Sequence, residues 1–349
     1  MMTPSLHKRA TCAIIILMTV FCCTTLVAGI VLTDDKGEQV TITAPAERII
    51  SLAPSNTEIL GALDLMDRVV GVTDYCNYPP QASEKPKIGG FSSVNIEQVV
   101  ALRPDLVLAA PTNGKETVAR LRALGLTVIV VDPQDINGVF DSIRLVGEAT
   151  GTTDRADILI RSLQKRLNAV QNATAKAPNR PKVAHVVWYD PIWVSGNNTY
   201  QDAVIRYAGG MNAFSGVDSW GTVSLEDFLI TDPDYILVNA GTGMTNATDN
   251  ANPVYDYFLQ GSRLSQMKAV RENHILLVDT DTISRGGPRI VDPVEQVAHA
   301  IHPECFTNVT PVPAGTGEKP QTQTPGFTAL LTGCSCILFF SFYRRVKKQ

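Results

Sequence analysis

Outside its two apolar ends this sequence holds only two cysteines, Cys76 and Cys305. That excludes a disulfide scaffold and any Cys-x-x-Cys metal pair in the body. An exported setting permits a Cys76–Cys305 bond, but their separation in sequence carries no geometric information. Histidine is scarce as well: beyond His7 there are only His185, His274, His299 and His302. A receptor for a free metal ion needs several His and carboxylates converging on one point, and these four are expected to be structural. Gly-x-Ser-x-Gly, His-Glu-x-x-His and Gly-x-x-x-x-Gly-Lys are all absent, so no hydrolase, zinc protease or NTPase site is signalled and no enzyme is expected. A basic excess is missing too. Removing the six basic residues of the ends (Lys8, Arg9, Arg344, Arg345, Lys347, Lys348) from 30 leaves 24 against 34 acidic, about −10 for the body. An acidic body argues against nucleic acid as a partner.

What the sequence does have begins with its ends. Lys8 and Arg9 precede a stretch from Ala10 to Thr33 without Asp, Glu, Lys or Arg, the layout of an export signal. The run is also long enough to span a bilayer; cleavage after Ala28 or Gly29 is the expectation, giving a signal peptide over 1–29. At the other end, Phe327 to Tyr343 is uncharged and largely apolar and is followed by four basic residues. Basic residues stay inside, so the body is expected to face outward, anchored at the cell surface. Residues 307–324, with Pro311, Pro313, Pro320 and many Thr and Gln, cannot bury enough apolar surface to fold and read as a tether. The triplet Pro325-Gly326-Phe327 opening the 325–349 segment resembles the sorting tail of archaeal surface proteins, which is removed and replaced by a lipid. Sequons at Asn172, Asn197, Asn246 and Asn308 suit an exported chain.

The 349 residues, 44% hydrophobic, suffice for two lobes. Short β-branched runs (Ile49 to Leu52, Val69 to Val72, Leu106 to Leu108, Val128 to Val131) alternate with helical patterns, which implies a mostly parallel sheet. A second set follows: Val183 to Trp188, Tyr235 to Val238 and Ile275 to Val278. Between them Ile158, Leu159, Leu163, Leu167 and Val170 recur at helical spacing, with Asp154 as cap and Pro178 as stop. The expected fold is α/β: two Rossmann-like lobes (30–140 and 179–306) joined by one long helix within 141–178, with a ligand cleft between the lobes. An internal repeat supports the duplication, because Val94-Asn-Ile-Glu97-Gln-Val-Val-Ala-Leu-Arg-Pro104-Asp105-Leu-Val-Leu108 matches Val223-Ser-Leu-Glu226-Asp-Phe-Leu-Ile-Thr-Asp-Pro233-Asp234-Tyr-Ile-Leu237 in register.

The stretches Arg48-Ile-Ile-Ser-Leu-Ala-Pro-Ser-Asn-Thr-Glu-Ile-Leu60, Val69-Val-Gly-Val-Thr-Asp-Tyr-Cys-Asn-Tyr-Pro-Pro80, Gly89-Gly-Phe91, Trp193-Val-Ser-Gly196, Gly209-Gly-Met-Asn212 and Gly287-Pro-Arg-Ile290 come in order. Together with the repeat they closely resemble the cobalamin and ferric-siderophore binding proteins of ABC importers, over about Ala46 to Pro303. The resemblance implies little lobe closure, a permease with a separate cytoplasmic ATPase as partners, and docking through one glutamate per lobe, here Glu97 and Glu226. It implies no cofactor of the protein's own; the ligand itself carries cobalt or iron, and haem is an alternative.

Candidate ligand contacts follow from strand ends, where open α/β sheets form their crevice. Tyr75 follows the Val69 strand, with Tyr78 packing the same loop; Phe91 follows two glycines, and Pro111 follows the Leu106 strand. In the second lobe Trp193 and Trp220 are expected in the cleft and Trp188 in either cleft or core, since flat rings suit a macrocycle or aryl chelate. Arg285, in a Ser-Arg-Gly-Gly-Pro loop, is placed to meet an anionic group of the ligand, and Arg289 is expected to pair at the surface. The receptor is expected to be a monomer.

Overall fold

The computed structural model describes residues 29–241 and 252–306. The expected signal peptide (bar Gly29), tether, sorting tail and the sequons at Asn246 and Asn308 lie outside them. Among the described residues no helix is long and apolar enough to cross a membrane.

The chain opens with an antiparallel hairpin the sequence reading had not foreseen, β1 (Ile30–Thr33) and β2 (Gln39–Ile42). Its alternation buries Leu32, Val40 and Ile42. Asp34, at the turn, accepts hydrogen bonds from the amides of Lys36 and Glu38 and from Arg122 and Val130. One carboxylate thereby fixes both the turn and its seat on the first lobe.

That lobe follows the alternating pattern: β3 (Ile49–Ser51), α1 (Pro54–Ala62), β4 (Val69–Val72), α2 (Ile96–Ala101), β5 (Leu106–Ala109), α3 (Lys115–Ala123) and β6 (Val128–Val130). Its four strands run parallel in the order β4-β3-β5-β6. Strands buried on both faces read as continuous apolar runs, which is why all four were visible in the sequence. Helix α4 (Ile136–Thr150) closes the lobe, capped by Asp135 and ended by Gly151 in the left-handed region at φ +68°, a conformation glycine adopts without penalty.

Helix α5 (Thr153–Thr174) is the connector, 22 residues or about 33 Å long. Asp154 sits in its first turn, where an acid favours the helix dipole, but the cap position is Thr152. Ala156, Ile160, Leu163, Leu167 and Val170 are buried, whereas Ile158, expected on the apolar stripe, faces solvent. The true stripe runs one residue out of phase at its start.

The second lobe contains β7 (Lys182–Tyr189), β8 (Ile192–Ser195), α6 (Tyr200–Tyr207), β9 (Met211–Asn212), β10 (Trp220–Val223), α7 (Leu225–Thr231), β11 (Tyr235–Ala240), α8 (Pro253–Gln260), α9 (Lys268–Arg271), β12 (Ile275–Asp279), α10 (Thr280–Ser284) and α11 (Val291–Ile301). Its sheet has the order β10-β8-β7-β11-β12, with β9 pairing the start of β7. Strands β7, β11 and β12 are parallel; β8 and β10 are antiparallel additions.

Three apolar clusters fill the molecule. One covers an outer face of the first sheet around Ile50, Val107 and Leu121, and one a face of the second around Phe214, Phe228 and Phe258. The third runs from the hairpin through α1 and α4, along the buried file of α5, and into α6 and α11. Both lobes lie within one compact unit.

Candidate functional site

The rim of the first lobe is built at the carboxyl ends of β3, β4 and β5. Asn113 holds it together: the buried side chain donates to the carbonyls of Leu52 (2.9 Å) and Phe91 (2.7 Å) and accepts from the amide of Ala110. Phe91 is thus tied to the end of β3, and its ring lies 4.9 Å from that of Tyr75. Tyr75 is 53% exposed. Pro111 is exposed and starts the single turn that positions Asn113. The three predicted rim residues are therefore brought together; the residue organising them, Asn113, was not anticipated. A short polar residue four after the strand-ending Ala109 was its only mark.

In the second lobe the three tryptophans share one face of β7, β8 and β10. Trp188 is the cross-strand partner of Trp193, Trp193 that of Thr222, and Trp220 that of Ser195. Residues at such directly opposed and diagonal positions lie on one side of a sheet. All three indoles are about 40% exposed, a ledge of flat apolar surface. Trp188 donates from Nε1 to the carbonyl of Asp190, so its polar edge is already satisfied. Beneath Trp220, whose ring meets His185 edge-on at 6.0 Å, lies a buried polar trio. His185 Nδ1 is 3.1 Å from Ser195 Oγ, and Nε2 is 2.9 Å from Asn239 Oδ1. Desolvation pushes the His185 pKa down to about 4, only partly opposed by the hydrogen bond to Asn239. The imidazole is neutral, with both ring nitrogens taken up inside the protein.

Where the lobes meet, the loop after α10 reaches across to the first lobe. Arg285 Nη1 donates to Glu58 Oε1 (3.0 Å) and Asn77 Oδ1 (2.8 Å), and Nη2 lies 2.7 Å from Asp281. Arg289 grips the same carboxylate with two nitrogens, at 3.1 and 2.6 Å, and its guanidinium stacks 4.0 Å above the Tyr78 ring. Asn77 returns a hydrogen bond to Asp281 at 2.8 Å. Arg289 is thus no surface pair: it is partly buried against the opposite lobe. Both terminal nitrogens of Arg285 are engaged with protein acceptors. Glu58, 1% exposed, was invisible in the sequence because an acid on a nine-residue helix reads as solvated. The trace it left was the glycine pair: a Cβ on Gly287 would sit 3.1 Å from Glu58 Oε2, and one on Gly286 would strike Tyr200. The Tyr200 hydroxyl adds a further cross-lobe hydrogen bond to the carbonyl of Pro133.

Glu97 and Glu226 both lie exposed in the first turn of their helices. Val99 and Phe228 supply the fully buried contact of each, while Val100 is exposed. The repeat extends to atoms. Asn95 and Ser224 are equivalent N-caps. Arg103 and Asp232 both take positive φ before the proline. Asp105 then receives the amides of Glu47 and Arg48, and Asp234 that of Lys182. The copies differ at the glutamate: Glu226 is 2.9 Å from Arg263, which with its own backbone amide holds the carboxyl below the usual range, whereas Glu97 has no ion pair among the described residues.

Cys76 and Cys305 are both free, so the bond considered from sequence does not form. Cys76 is buried, with its sulfur within hydrogen-bond reach of Thr57 and Thr73. Two shallow concavities of about 330 and 320 Å³ lie at the foot of the second lobe, lined by residues such as Gln171 and Arg206 or Tyr235 and His274. Both lie at the amino ends of its parallel strands, far from the aromatic rim. No group of three or more His, Cys, Asp and Glu among the described residues is placed to hold a metal ion.

Comparison with known proteins agrees with this architecture. The model of the family described as "Periplasmic binding protein" matches residues 49–282. An uncharacterised ABC transporter substrate-binding lipoprotein of Bacillus subtilis, YvrC, is 32% identical over 81% of this chain and 88% of its own. A cobalamin-binding protein of Halobacterium salinarum is 30% identical over 77% and 73% respectively. Among solved structures, the periplasmic haem-binding protein RhuT of Roseiflexus sp. RS-1 superposes with a TM-score of 0.65 at 27% identity, covering 74% of this chain and 99% of that one. Two α/β lobes, aromatic rims at their strand ends and a match across the body lead to one conclusion: this chain belongs to the periplasmic binding protein family and is the substrate-binding protein of an ABC importer.

Proposed function

We propose that the cargo is a corrinoid, captured between the Tyr75–Phe91 rim and the indole ledge of Trp193 and Trp220, with Pro111 at the edge. The observation that carries this is the ledge: three half-exposed tryptophans on one sheet face. Flat rings give a large apolar contact at little entropic cost, which suits a rigid macrocycle. The cobalamin-binding relative points the same way. Calorimetric titration of the full-length protein in detergent with cobalamin, cobinamide, haem and ferric siderophores tests it. Submicromolar binding confined to corrinoids is expected; a preference for haem or a siderophore overturns the choice of cargo.

Delivery to the permease runs through Glu97 and Glu226, one exposed carboxylate per lobe, each able to take an arginine of a two-fold partner. Glu97→Ala with Glu226→Ala should abolish uptake in cells while leaving ligand affinity within about twofold, because neither side chain touches the rim. Loss of affinity in the double variant would assign them to the cleft or the fold. The protein acts outside the cytoplasm, tethered by its carboxyl end. Mass spectrometry of membrane-extracted protein should find neither the leading apolar run nor the residues after Pro325; an intact terminal peptide would mean a permanent membrane helix.

A further inference from the structure

The cross-lobe seam has a consequence for which chelates the cleft accepts. Arg285 and Arg289 face Glu58 and Asp281, and Asp279 contributes a further negative charge felt by Arg289. Both terminal nitrogens of Arg285 are engaged within the protein, Nη1 by Glu58 and Asn77 and Nη2 by Asp281. Of the two lysines on the loop after β4, Lys85 and Lys87, the second directs its ammonium to the carbonyls of Cys76 and Ala82 at the loop's base. A ligand carboxylate or catecholate could take these nitrogens only by displacing Asp281 or by breaking the pair with Glu58, which is 1% exposed, and stripping a buried charge of its partner is strongly unfavourable.

We propose that Glu58 and Asp281 are positioning residues that lock Arg285 into a lobe-to-lobe latch and thereby set the cleft's selectivity, favouring neutral or cationic chelates over polyanionic ones. The proposal rests on the cargo being a bulky metal chelate, as inferred above. The latch supplies specificity by withholding a cation rather than by adding a contact. It also holds the Asn77–Tyr78 loop through Arg285 and Arg289, so the same charges that reject an anion hold the rim in place.

The test compares wild type, Asp281→Asn and Glu58→Gln, each full length in detergent, titrated with cobinamide and with a trianionic iron tris-catecholate. Wild type should bind the corrinoid at least about 100-fold more tightly than the catecholate. Asp281→Asn keeps an acceptor but removes a charge, and should narrow that gap by about tenfold while moving corrinoid affinity less than about threefold. Hydrogen exchange of the 74–81 and 284–290 segments, measured without ligand, should quicken in Glu58→Gln. Where that variant does not fold, Asp281→Asn carries the same readout. A wild-type preference for the catecholate, or an unchanged ratio in folded Asp281→Asn, overturns the proposal. Quickened exchange with neither chelate bound would leave the latch standing and sink the ligand class, and the selectivity claim with it.

Discussion

The two lobes are copies at the repeat and diverge beside it. Next to β3 the first lobe places a parallel strand, β4, whose trailing loop carries Tyr75. Next to β7 the second places an antiparallel pair, β8 and β10, whose own strands carry Trp193 and Trp220. A parallel strand can display a ligand contact only beyond its end; an antiparallel ribbon with one open face displays it along its length. The duplicated part, with its Asn95 or Ser224 cap and its Asp105 or Asp234 clamp, carries the glutamates proposed for docking. The unequal part carries the proposed ligand contacts.

Three measurements would break or sharpen that contrast. The largest effect should come from His185, a buried histidine on β7 beside the antiparallel pair; β3, its counterpart in the first lobe, carries no histidine. Its folded pKa, about 4, lies below the ordinary 6.5, so the unfolded chain binds more protons between those values. Its contribution is complete above pH 6.5 and is lost as pH falls toward 4, by about 3 kcal/mol. Urea unfolding of His185→Gln should lose this acid dependence; a variant that retains it would place the sensitivity elsewhere. Next, Asp105→Ala and Asp234→Ala should each cost about 1–2 kcal/mol, since each carboxylate satisfies strand-start amides. Equal losses support the clamps as true equivalents, and a cost in one alone would confine the clamp to that lobe. Smallest in stability are the aromatics. Trp193→Ala and Trp220→Ala should leave the unfolding midpoint nearly unmoved yet weaken cargo binding about tenfold each, and Tyr75→Ala somewhat less, in proportion to the area removed. Equal affinity in all three variants would put the cargo elsewhere.

How much of this could be read beforehand depended on whether the signal was periodic. The strands β3 to β6, β7, β11 and β12 are built on short, mostly apolar runs, and the α5 file repeats at helical spacing, so fold class and lobe count were legible. Strands β8 and β10 were not: at four residues each, with Gly221 inside one, they are too short for alternation to register. The β1–β2 hairpin hid for the same reason. Within the site, Tyr75, Phe91, Pro111 and the tryptophans could be named because aromatic and proline residues at strand ends are conspicuous. The partners that position them, Asn113 and Glu58, are ordinary polar residues whose burial is decided by contacts 61 and 231 positions away in sequence. No local pattern encodes those.

The apolar file on α5 continues without a break into both lobes. The helices of Glu97 and Glu226 are anchored in the two outer clusters through Val99 and Phe228, and the central file joins the lobes that carry them. On the docking proposed above, an empty receptor would then offer the permease the same two handles as a full one, and empty and loaded molecules would compete for a single dock. Import would follow the loaded fraction of the receptor pool rather than its size, and a cell that overproduces the receptor when cargo is scarce would slow its own uptake.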